Sequence, residues 1–374
     1  MRRLVVTPLV LALSLGTGVT FGAEKEPIAP GSFSPAGTPV QVRVEHTATL
    51  LPDGRVLVVG GRGGGRKPMA EVWDSVTATF SPTGSLAENR ASHTATVLSD
   101  GRVLVVGGVD RVNRSLASAE AWDPTTASFS PAGSLATARR WHTATALPDG
   151  RVLVIGGMDR LDRALASAEV WDPATGTFGP ASSLAERRSD HTATLLPDGR
   201  VLVVGGGLGS RRAVAEVWDP ETGTFGPAGS LAKTRFNHAA TLLPDGRVLV
   251  VGGEGGAERR VHAVAEVWDP ATASFAPAGW LAEARRWHTA TALPDGRVLV
   301  VGGWDRDDRR LASAEIWDPA TNTFAPSGRL AKARSGHTAM LLLDGRILVV
   351  GGVGAFRPRA PAEVWTPHTP SPAE

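Results

Sequence analysis

The sequence predicts an all-β repeat fold in which seven copies of one small unit close into a ring. Three observations lead to this prediction: a histidine recurs at intervals of 47, 49, 49, 47, 50 and 49 residues, a run like HTATLLPDGRVLVVGG follows it, and a run like AEVWDPATGTF completes the copy. The seven histidines are His46, His93, His142, His191, His238, His288 and His337. Self-similarity at this period is typical of stacked units that cannot bury their apolar faces alone.

Four short strands are predicted in each copy. HTATLL and RVLVVGG are β-branched and apolar runs, and the Leu-Pro-Asp-Gly between them predicts a tight hairpin with positive φ angles at the Asp-Gly pair. AEVWD predicts a third strand, and Asp-Pro-x-Thr-Gly turns the chain into a fourth. Six copies centre the fourth strand on a phenylalanine: Phe80, Phe129, Phe178, Phe225, Phe275 and Phe324. Each copy is therefore expected to be a four-stranded antiparallel meander.

A Gly-Gly pair, a variable loop, an aromatic residue, six further residues and a second aromatic residue follow one another in this repeat. This pattern resembles the Kelch repeat, whose seven-copy members form β-propellers. The resemblance implies a seven-bladed β-propeller of four-stranded antiparallel blades over residues 32–366. The family's usual tyrosine is tryptophan here, and its usual tryptophan is phenylalanine. Both changes keep a large apolar surface, so packing is expected to survive.

The two ends of the repeat region predict how the ring closes. The seventh copy stops after Trp365 without a phenylalanine strand, whereas Phe33 stands before the first copy without a repeat of its own. Phe33 precedes His46 by 13 residues, as Phe80 precedes His93. The N-terminal strand is therefore expected to complete the last blade, which removes two exposed sheet edges and gives 28 strands in total.

The segments outside the repeats predict export. Residues 1–23 have basic residues, an apolar run and then small residues, as a secretory signal peptide does. Residues 24–31 are expected to be a linker and residues 367–374 a C-terminal tail. Because the chain has no cysteine, we expect no disulfide and no lipid anchor after the signal. The sequence therefore predicts a secreted monomer, extracellular or periplasmic, with no membrane span.

The charge balance gives no support for a nucleic-acid partner. The chain has 39 lysines and arginines against 37 aspartates and glutamates, a formal net charge of +2. Removal of Arg2 and Arg3 with the signal would leave zero, and a nucleic-acid-binding domain usually carries a strong positive excess.

All length variation falls in one loop of each copy, between Gly-Gly and the glutamate of AEVW, which holds 9, 11, 11, 9, 12 and 11 residues in the first six copies. In a meander this loop opens on the same face as the link between copies, and variation on one face is typical of a binding surface. Cations outnumber acids in these loops: Arg62, Lys67, Arg111, Arg114, Arg160, Arg163, Arg211, Arg212, Arg259, Arg260, Arg306, Arg309, Arg310, Arg357 and Arg359. The face either attracts anions or is a solvated rim of local ion pairs.

Two charged residues recur in all seven copies. An arginine stands three residues before each histidine (Arg43, Arg90, Arg139, Arg188, Arg235, Arg285 and Arg334), and a glutamate stands two residues before each third-strand tryptophan (Glu71, Glu120, Glu169, Glu216, Glu266, Glu315 and Glu363). A ring that holds an anion or a metal is one interpretation. We favour a structural one, because one packing problem recurs in every copy whereas one ligand seldom needs seven sites. No metal site is expected.

The two positions before each histidine differ among the copies, and they enter the innermost strands at the mouth of the channel. Aromatic rings beside polar groups are typical of ligand sites. The candidate ligand-binding residues are Trp141, Arg140, Trp287, Arg286, Phe236, Asn237, Asp190, Glu45 and Trp304. The alternative is drift at weakly constrained positions.

The residues argue against several enzyme classes. Galactose-oxidase-like copper enzymes, which the Kelch resemblance brings into question, join a tyrosine to a cysteine in their cofactor, and sialidase-like propellers need a tyrosine nucleophile. The chain contains neither residue type. We expect a non-catalytic binding protein without a cofactor, whose partner is a protein or a glycan, with an anionic partner as one option. Two alternatives stay open: a carbohydrate-active enzyme with Asp190 or Glu45 as acid or base, and a purely structural part of a surface assembly.

Overall fold

The computed structural model describes residues 31–41, 43–63, 69–207, 213–256, 258–353 and 360–368. The predicted signal peptide, nearly all of the predicted linker and most of the predicted tail lie outside these ranges. Within them, no helix has the length and hydropathy needed to cross a bilayer.

The strands form seven four-stranded antiparallel sheets, the blades of a propeller. The chain begins with β1 (Ser32–Pro35). Blade 1 is β2 (Thr47–Leu50), β3 (Val56–Val59), β4 (Met69–Asp74) and β5 (Thr79–Ser85); blade 2 is β6 (Thr94–Val97), β7 (Val103–Val106), β8 (Ser118–Asp123) and β9 (Ser128–Ser134); blade 3 is β10 (Thr143–Ala146), β11 (Val152–Ile155), β12 (Ala168–Asp172) and β13 (Thr177–Pro180); blade 4 is β14 (Thr192–Leu195), β15 (Val201–Val204), β16 (Val214–Asp219) and β17 (Thr224–Ser230).

Blade 5 contains an additional hairpin in its variable loop. The remaining strands are, in blade 5, β18 (Ala239–Leu242), β19 (Val248–Val251), the hairpin β20 (Glu254–Gly255) and β21 (Arg260–Val261), β22 (Val264–Asp269) and β23 (Ser274–Trp280); in blade 6, β24 (Thr289–Ala292), β25 (Val298–Val301), β26 (Ser313–Asp318) and β27 (Thr323–Arg329); and in blade 7, β28 (Thr338–Leu341), β29 (Ile347–Val350) and β30 (Glu363–Thr366). The hairpin was not expected from the sequence.

The N-terminal strand closes the ring. β1 pairs antiparallel with β30, with Phe33 opposite Trp365, so that the last sheet has the order β1-β30-β29-β28. The prediction of a seven-bladed propeller closed by its N-terminal strand is confirmed. Because β30 now pairs with β1 on one side and β29 on the other, its backbone groups are not exposed as a free sheet edge.

The core lies between the blades. The second strand of each blade is buried along its whole length, and its side chains pack on the neighbouring blade; Leu57 and Val59, for example, lie in one cluster with Val103 and Trp122 of blade 2. The third-strand tryptophans add a directed contact. Trp73 donates its indole N–H to the carbonyl of Ala36 in the preceding blade, 2.9 Å away. The apolar surface of one blade is therefore covered only when the next is in place.

The hairpin between the first two strands differs from the expectation in one detail. Gly54 has φ 84°, but Asp53 does not take a positive φ. Instead, the Asp53 carboxylate accepts bonds from the backbone N–H and the Nε of Arg55, at 3.0 and 2.8 Å. The prediction is right for the glycine and wrong for the aspartate, which serves as a turn acceptor.

The Gly-Gly pairs are required by close approach. A Cβ added to Gly60 (φ 63°) would lie 2.4 Å from the Arg90 carbonyl and 2.6 Å from a ring carbon of His93, both in the next blade. A side chain there would push the two blades apart.

Candidate functional site

Each repeated arginine binds the glutamate of its own blade. Arg139 donates from Nη2 to Glu169 Oε1 at 2.6 Å and from Nη1 to the carbonyls of Gly156 and Ser167 at 2.9 and 3.0 Å. The second oxygen of Glu169 accepts the backbone N–H of Ala136, on the link from blade 2, at 2.7 Å. The same buried pair occurs in all seven blades. These buried charges fasten each inter-blade link and neutralise one another, which favours the structural interpretation of the repeated pair.

Each repeated histidine reaches back to the preceding blade. His142 Nε2 lies 3.0 Å from Thr94 Oγ1 on β6, and equivalent contacts occur around the channel. Burial, and then the positive charge of Arg139, lower the pKa of His142 to about 3. The imidazoles are therefore uncharged at neutral pH.

One histidine lacks this contact. The fifth copy reads HAATLL, so that Ala239 stands where the other copies have threonine. As a result, Nε2 of His288 is buried without the threonine hydrogen bond that the other repeated histidines make. His288 lines the channel-mouth cavity described below. A ligand group there could take the bond that Thr gives elsewhere. His288 was not predicted from its own repeat, because the missing threonine belongs to the first strand of the preceding copy.

The residue directly before each histidine has a left-handed backbone in all seven copies. The angles are 55° at Glu45, 54° at Ser92, 52° at Trp141, 54° at Asp190, 53° at Asn237, 50° at Trp287 and 61° at Gly336. Backbone hydrogen bonds join neighbours in this ring: Ser92 N–H to Glu45 O, Trp141 to Ser92, Asp190 to Trp141, Trp287 to Asn237 and Gly336 to Trp287, at 2.9 to 3.2 Å. The ring, which we call the mouth ring, surrounds the channel on the face of the variable loops.

A cavity of about 600 Å³ opens inside the mouth ring. Of the nine candidate ligand-binding residues, eight line this channel-mouth cavity: Glu45, Trp141, Asp190, Phe236, Asn237, Arg286, Trp287 and Trp304. The ninth, Arg140, lies behind it, with its guanidinium 4.6 Å from the centre of the Trp141 ring and bound to Asp162 and Ser115. Arg140 therefore supports Trp141.

The aromatic side chains that line the cavity are partly exposed. Trp287 is 47 % exposed and meets Trp304 edge to face, with ring centres 6.4 Å apart. Arg286 lies over both rings, at 5.7 and 5.8 Å. Arg286 also binds Glu254 at 2.6 Å and Asp308. Glu254, at the start of the β20–β21 hairpin, holds Asn237 at 2.9 Å as well. Glu254 was not predicted from the sequence, because its position in the cavity depends on the β20–β21 hairpin.

The charges in the cavity are mixed. Its charged lining residues are the carboxylates Glu45, Asp190 and Glu254 and the guanidinium groups of Arg259 and Arg286. Burial raises the pKa of Asp190 to about 6; the Ser189 hydroxyl and Arg140 oppose this rise, while Glu254 and Glu45 add to it. Because carboxylates and guanidinium groups occur together, the channel-mouth cavity does not favour an anionic ligand.

The loop cations outside the cavity are largely in local pairs. Arg114 binds Asp110 at 3.0 Å, and Arg163 binds Asp159 at 2.8 Å. Five of the loop cations, Lys67, Arg211, Arg212, Arg357 and Arg359, lie outside the described residues. Among the residues that the structure describes, no group of three His, Cys, Asp or Glu side chains is arranged to hold a metal ion.

The model of the Kelch motif matches residues 90–136, 139–184 and 285–327, which span blades 2, 3 and 6. The chain thus carries Kelch motifs in three blades of its seven-bladed β-propeller. Among curated proteins, none matches the sequence. The propeller is similar in structure to a fungal alcohol oxidase of the AA5 family in complex with copper, with a TM-score of 0.70 and 19 % identity over 91 % of this chain and 76 % of the oxidase.

A second similar structure is that of YjhT, with a TM-score of 0.60 and 12 % identity over 78 % of this chain and 98 % of YjhT. At these identities the likeness establishes the shared fold. Kelch propellers commonly serve as binding domains, and the structural similarity to an oxidase leaves the distinction between binder and enzyme to the chemistry of the site.

Proposed function

We propose that this Kelch propeller is a non-catalytic carbohydrate-binding protein whose ligand enters the channel-mouth cavity. One observation carries the proposal: Trp141 and Trp287 stand in a left-handed backbone conformation, at φ 52° and 50°. Such a conformation costs a bulky residue on the order of 1 kcal/mol or more. Gly336 takes the same place in the seventh copy, where the conformation costs little. Tryptophans kept at strained positions, facing a cavity, point to the use of their side chains.

The lining suits a sugar ring. The partly exposed face of Trp287 offers a flat apolar surface for the C–H face of a pyranose. Asp190, Asn237 and Nε2 of His288, which lacks the threonine bond of the other copies, supply hydrogen-bonding groups for hydroxyls. Arg286 is fixed by two carboxylates, so its position is set before any ligand arrives. A preorganised aromatic and polar site loses little entropy on binding.

Asp190 favours the second candidate, a carbohydrate-active enzyme. Its pKa of about 6 is suited to a general acid or base near neutrality, and Glu45 lies in the same cavity. Copper chemistry of the galactose-oxidase kind does not fit, because the chain has no tyrosine or cysteine and the described residues hold no metal-binding group. We rank the binding function first because Glu45, the candidate partner of Asp190 in acid–base chemistry, is engaged by other side chains. Glu45 is engaged with Arg62 at 2.8 Å and Ser92 at 2.7 Å.

Calorimetry with neutral hexasaccharides, selected from a glycan array, tests the proposal. The double variant Trp141→Gly/Trp287→Gly should lose binding while its melting temperature stays close to that of the wild type, because glycine relieves the backbone strain. The control is Arg329→Ser, which removes an exposed side chain at the end of the fourth strand of blade 6, outside the cavity. Unchanged affinity in the double variant would reject the site. Release of smaller sugars from the bound hexasaccharide, lost in Asp190→Asn, would favour the enzyme.

We also propose that the protein is exported. The support is the signal-like segment at residues 1–23. N-terminal sequencing of the protein recovered from the cell envelope and the medium tests this proposal. An intact Met1 in the mature protein would contradict it.

A further inference from the structure

The fifth copy departs from the repeat at several positions that meet in one place. Its variable loop is the one that contains the β20–β21 hairpin. Trp280 ends its fourth strand, where four other blades have serine: Ser85, Ser134, Ser183 and Ser230. His262 follows the hairpin, where the second, third and sixth copies have Leu116, Leu165 and Leu311. The core packing that the seven blades share therefore does not require the hairpin, Trp280 or His262.

The departures line a second cavity of about 600 Å³, which we call the outer pocket. Trp280 and His262 lie in its wall, together with Lys233 on the link from blade 4 and Arg306 on the loop of blade 6. Arg259 lines both the outer pocket and the channel-mouth cavity, so the hairpin separates the two.

Trp280 is placed for contact with a ligand. Its side chain is 68 % exposed, although it pairs with Val264 at the end of the blade. A tryptophan so exposed adds little to the core, and four serines at the same place show that the fold does not need it. Its free face is available for stacking.

The charge around Trp280 is positive. Lys233, Arg259, Arg260 and Arg306 line the pocket, against the single acid Glu258. Glu258 is bound to Arg260 at 2.6 Å. Neither Lys233 nor Arg306 has an ion-pair partner in the described part of the molecule. Burial and then the charge of Arg235 lower the pKa of His262 to about 4, with Lys233 and Arg306 adding to the effect, so the imidazole is neutral and adds no charge of its own.

We propose that the outer pocket is a second binding site, which takes an anionic sugar residue. The pyranose ring stacks on Trp280, and its carboxylate or sulfate group is bound by Lys233 and Arg306. An aromatic platform beside unpaired cations is complementary to a ring with a negative substituent. The neutral, aromatic and carboxylate-containing channel-mouth cavity differs from it in chemistry, so the two sites prefer different sugars.

Titration calorimetry with three hexasaccharides tests this site: a heparin-derived one carrying sulfates, an oligogalacturonate carrying carboxylates, and neutral cellohexaose. We expect at least one anionic hexasaccharide to bind more tightly than cellohexaose, with an affinity that falls as salt is raised from low to physiological concentration. Trp280→Ser and Lys233→Glu should each weaken that binding about tenfold or more. Both substitutions introduce residues that other copies carry at these positions, as Glu88 and Glu186 show, so the fold should tolerate them.

Two controls separate this inference from the channel-mouth proposal. Arg329→Ser, at the place of Trp280 in blade 6, should change anionic binding by less than about twofold. Trp287→Ala should affect the neutral ligand and leave anionic binding at the outer pocket in place. No binding of either anionic hexasaccharide, equal binding by Trp280→Ser, or binding of polyglutamate in preference to both sugars would overturn the proposal.

Discussion

Phe33 lies opposite Trp365 in the closing blade, although the two residues are 332 positions apart along the chain. The contact is crowded: a Cβ added to Gly31, two residues before Phe33, would lie 2.3 Å from the indole ring of Trp365. The N-terminal strand thus fits against the last tryptophan only because Gly31 has no side chain. The stability of the whole ring depends on this closure, since an open propeller exposes two sheet edges.

Gly31→Ala should therefore lower the free energy of unfolding by about 1 to 3 kcal/mol through overpacking at Trp365. Urea titration followed by tryptophan fluorescence measures this loss. Gly179→Ala is the matched control, because a Cβ at Gly179 meets no atom within 4 Å and its φ is not positive. Equal midpoints for the two variants would mean that the closing strand is not held against Trp365.

The buried arginine–glutamate pairs should differ sharply from the exposed ones. Arg139→Ala leaves Glu169 buried without its cation and should cost about 3 to 5 kcal/mol. Arg151→Ala removes a guanidinium paired with Asp149 at an exposed turn and should cost less than about 1 kcal/mol. Urea denaturation of both variants tests the contrast. Similar losses would show that the repeated pair does not anchor the link between blades.

The sequence predicts most of this fold because every inference is repeated seven times. The position of Phe33, 13 residues before His46, was enough to predict ring closure. The hairpin β20–β21 was not predicted, because a two-residue strand within a glycine-rich loop has no periodicity to read.

The site was predicted in part. The variable pairs before the histidines did lead to residues that share one cavity, but the left-handed conformation of Trp141 and Trp287 was not expected. Tryptophan gives no local signal for a positive φ, and only Gly336 in the seventh copy hints at it. The roles of Glu254 and His288 depend on contacts between different blades, which no single repeat contains.

The channel histidines should make the protein sensitive to acid. Their pKa values are lowered in the folded state, to about 3 for His46, His142, His191, His238 and His337. Each therefore takes up a proton on unfolding when the pH is below about 6.5, the usual pKa of histidine. The stability that they contribute is complete above that pH and is lost as the pH falls toward 3. Each lowers the unfolding free energy by up to about 1.4 kcal/mol per pH unit.

His142→Gln should flatten this dependence by up to about 1.4 kcal/mol per pH unit between pH 6 and pH 4. Thr94→Val is the control: it removes the hydrogen bond to His142 and lowers stability at every pH, but the slope should stay, because the imidazole remains buried and neutral. A slope unchanged in His142→Gln would indicate that this histidine takes up its proton in the folded state as well.

Asp190 should lower the stability of the folded protein at neutral and higher pH. Its pKa is raised to about 6 by burial, so the folded state holds its proton more tightly than the unfolded chain does. The favourable contribution of this proton is complete below the usual aspartate pKa of about 3.9 and is lost as the pH rises through 6. At pH 8 the wild type therefore holds an unfavourable buried carboxylate, and Asp190→Asn should be more stable by on the order of 1 to 3 kcal/mol.

This gain should shrink as the pH is lowered from 8 to 5, because the carboxyl of the folded wild type becomes protonated over that range. Urea midpoints of the wild type and Asp190→Asn at the two pH values test the effect. The same variant discriminates between the two candidate functions: a binding protein should keep an affinity for its neutral hexasaccharide within about tenfold, since an amide still hydrogen-bonds hydroxyls. Equal stability differences at pH 5 and pH 8 would show that Asp190 is not desolvated, and the chemical argument for its use as an acid or base would then be lost.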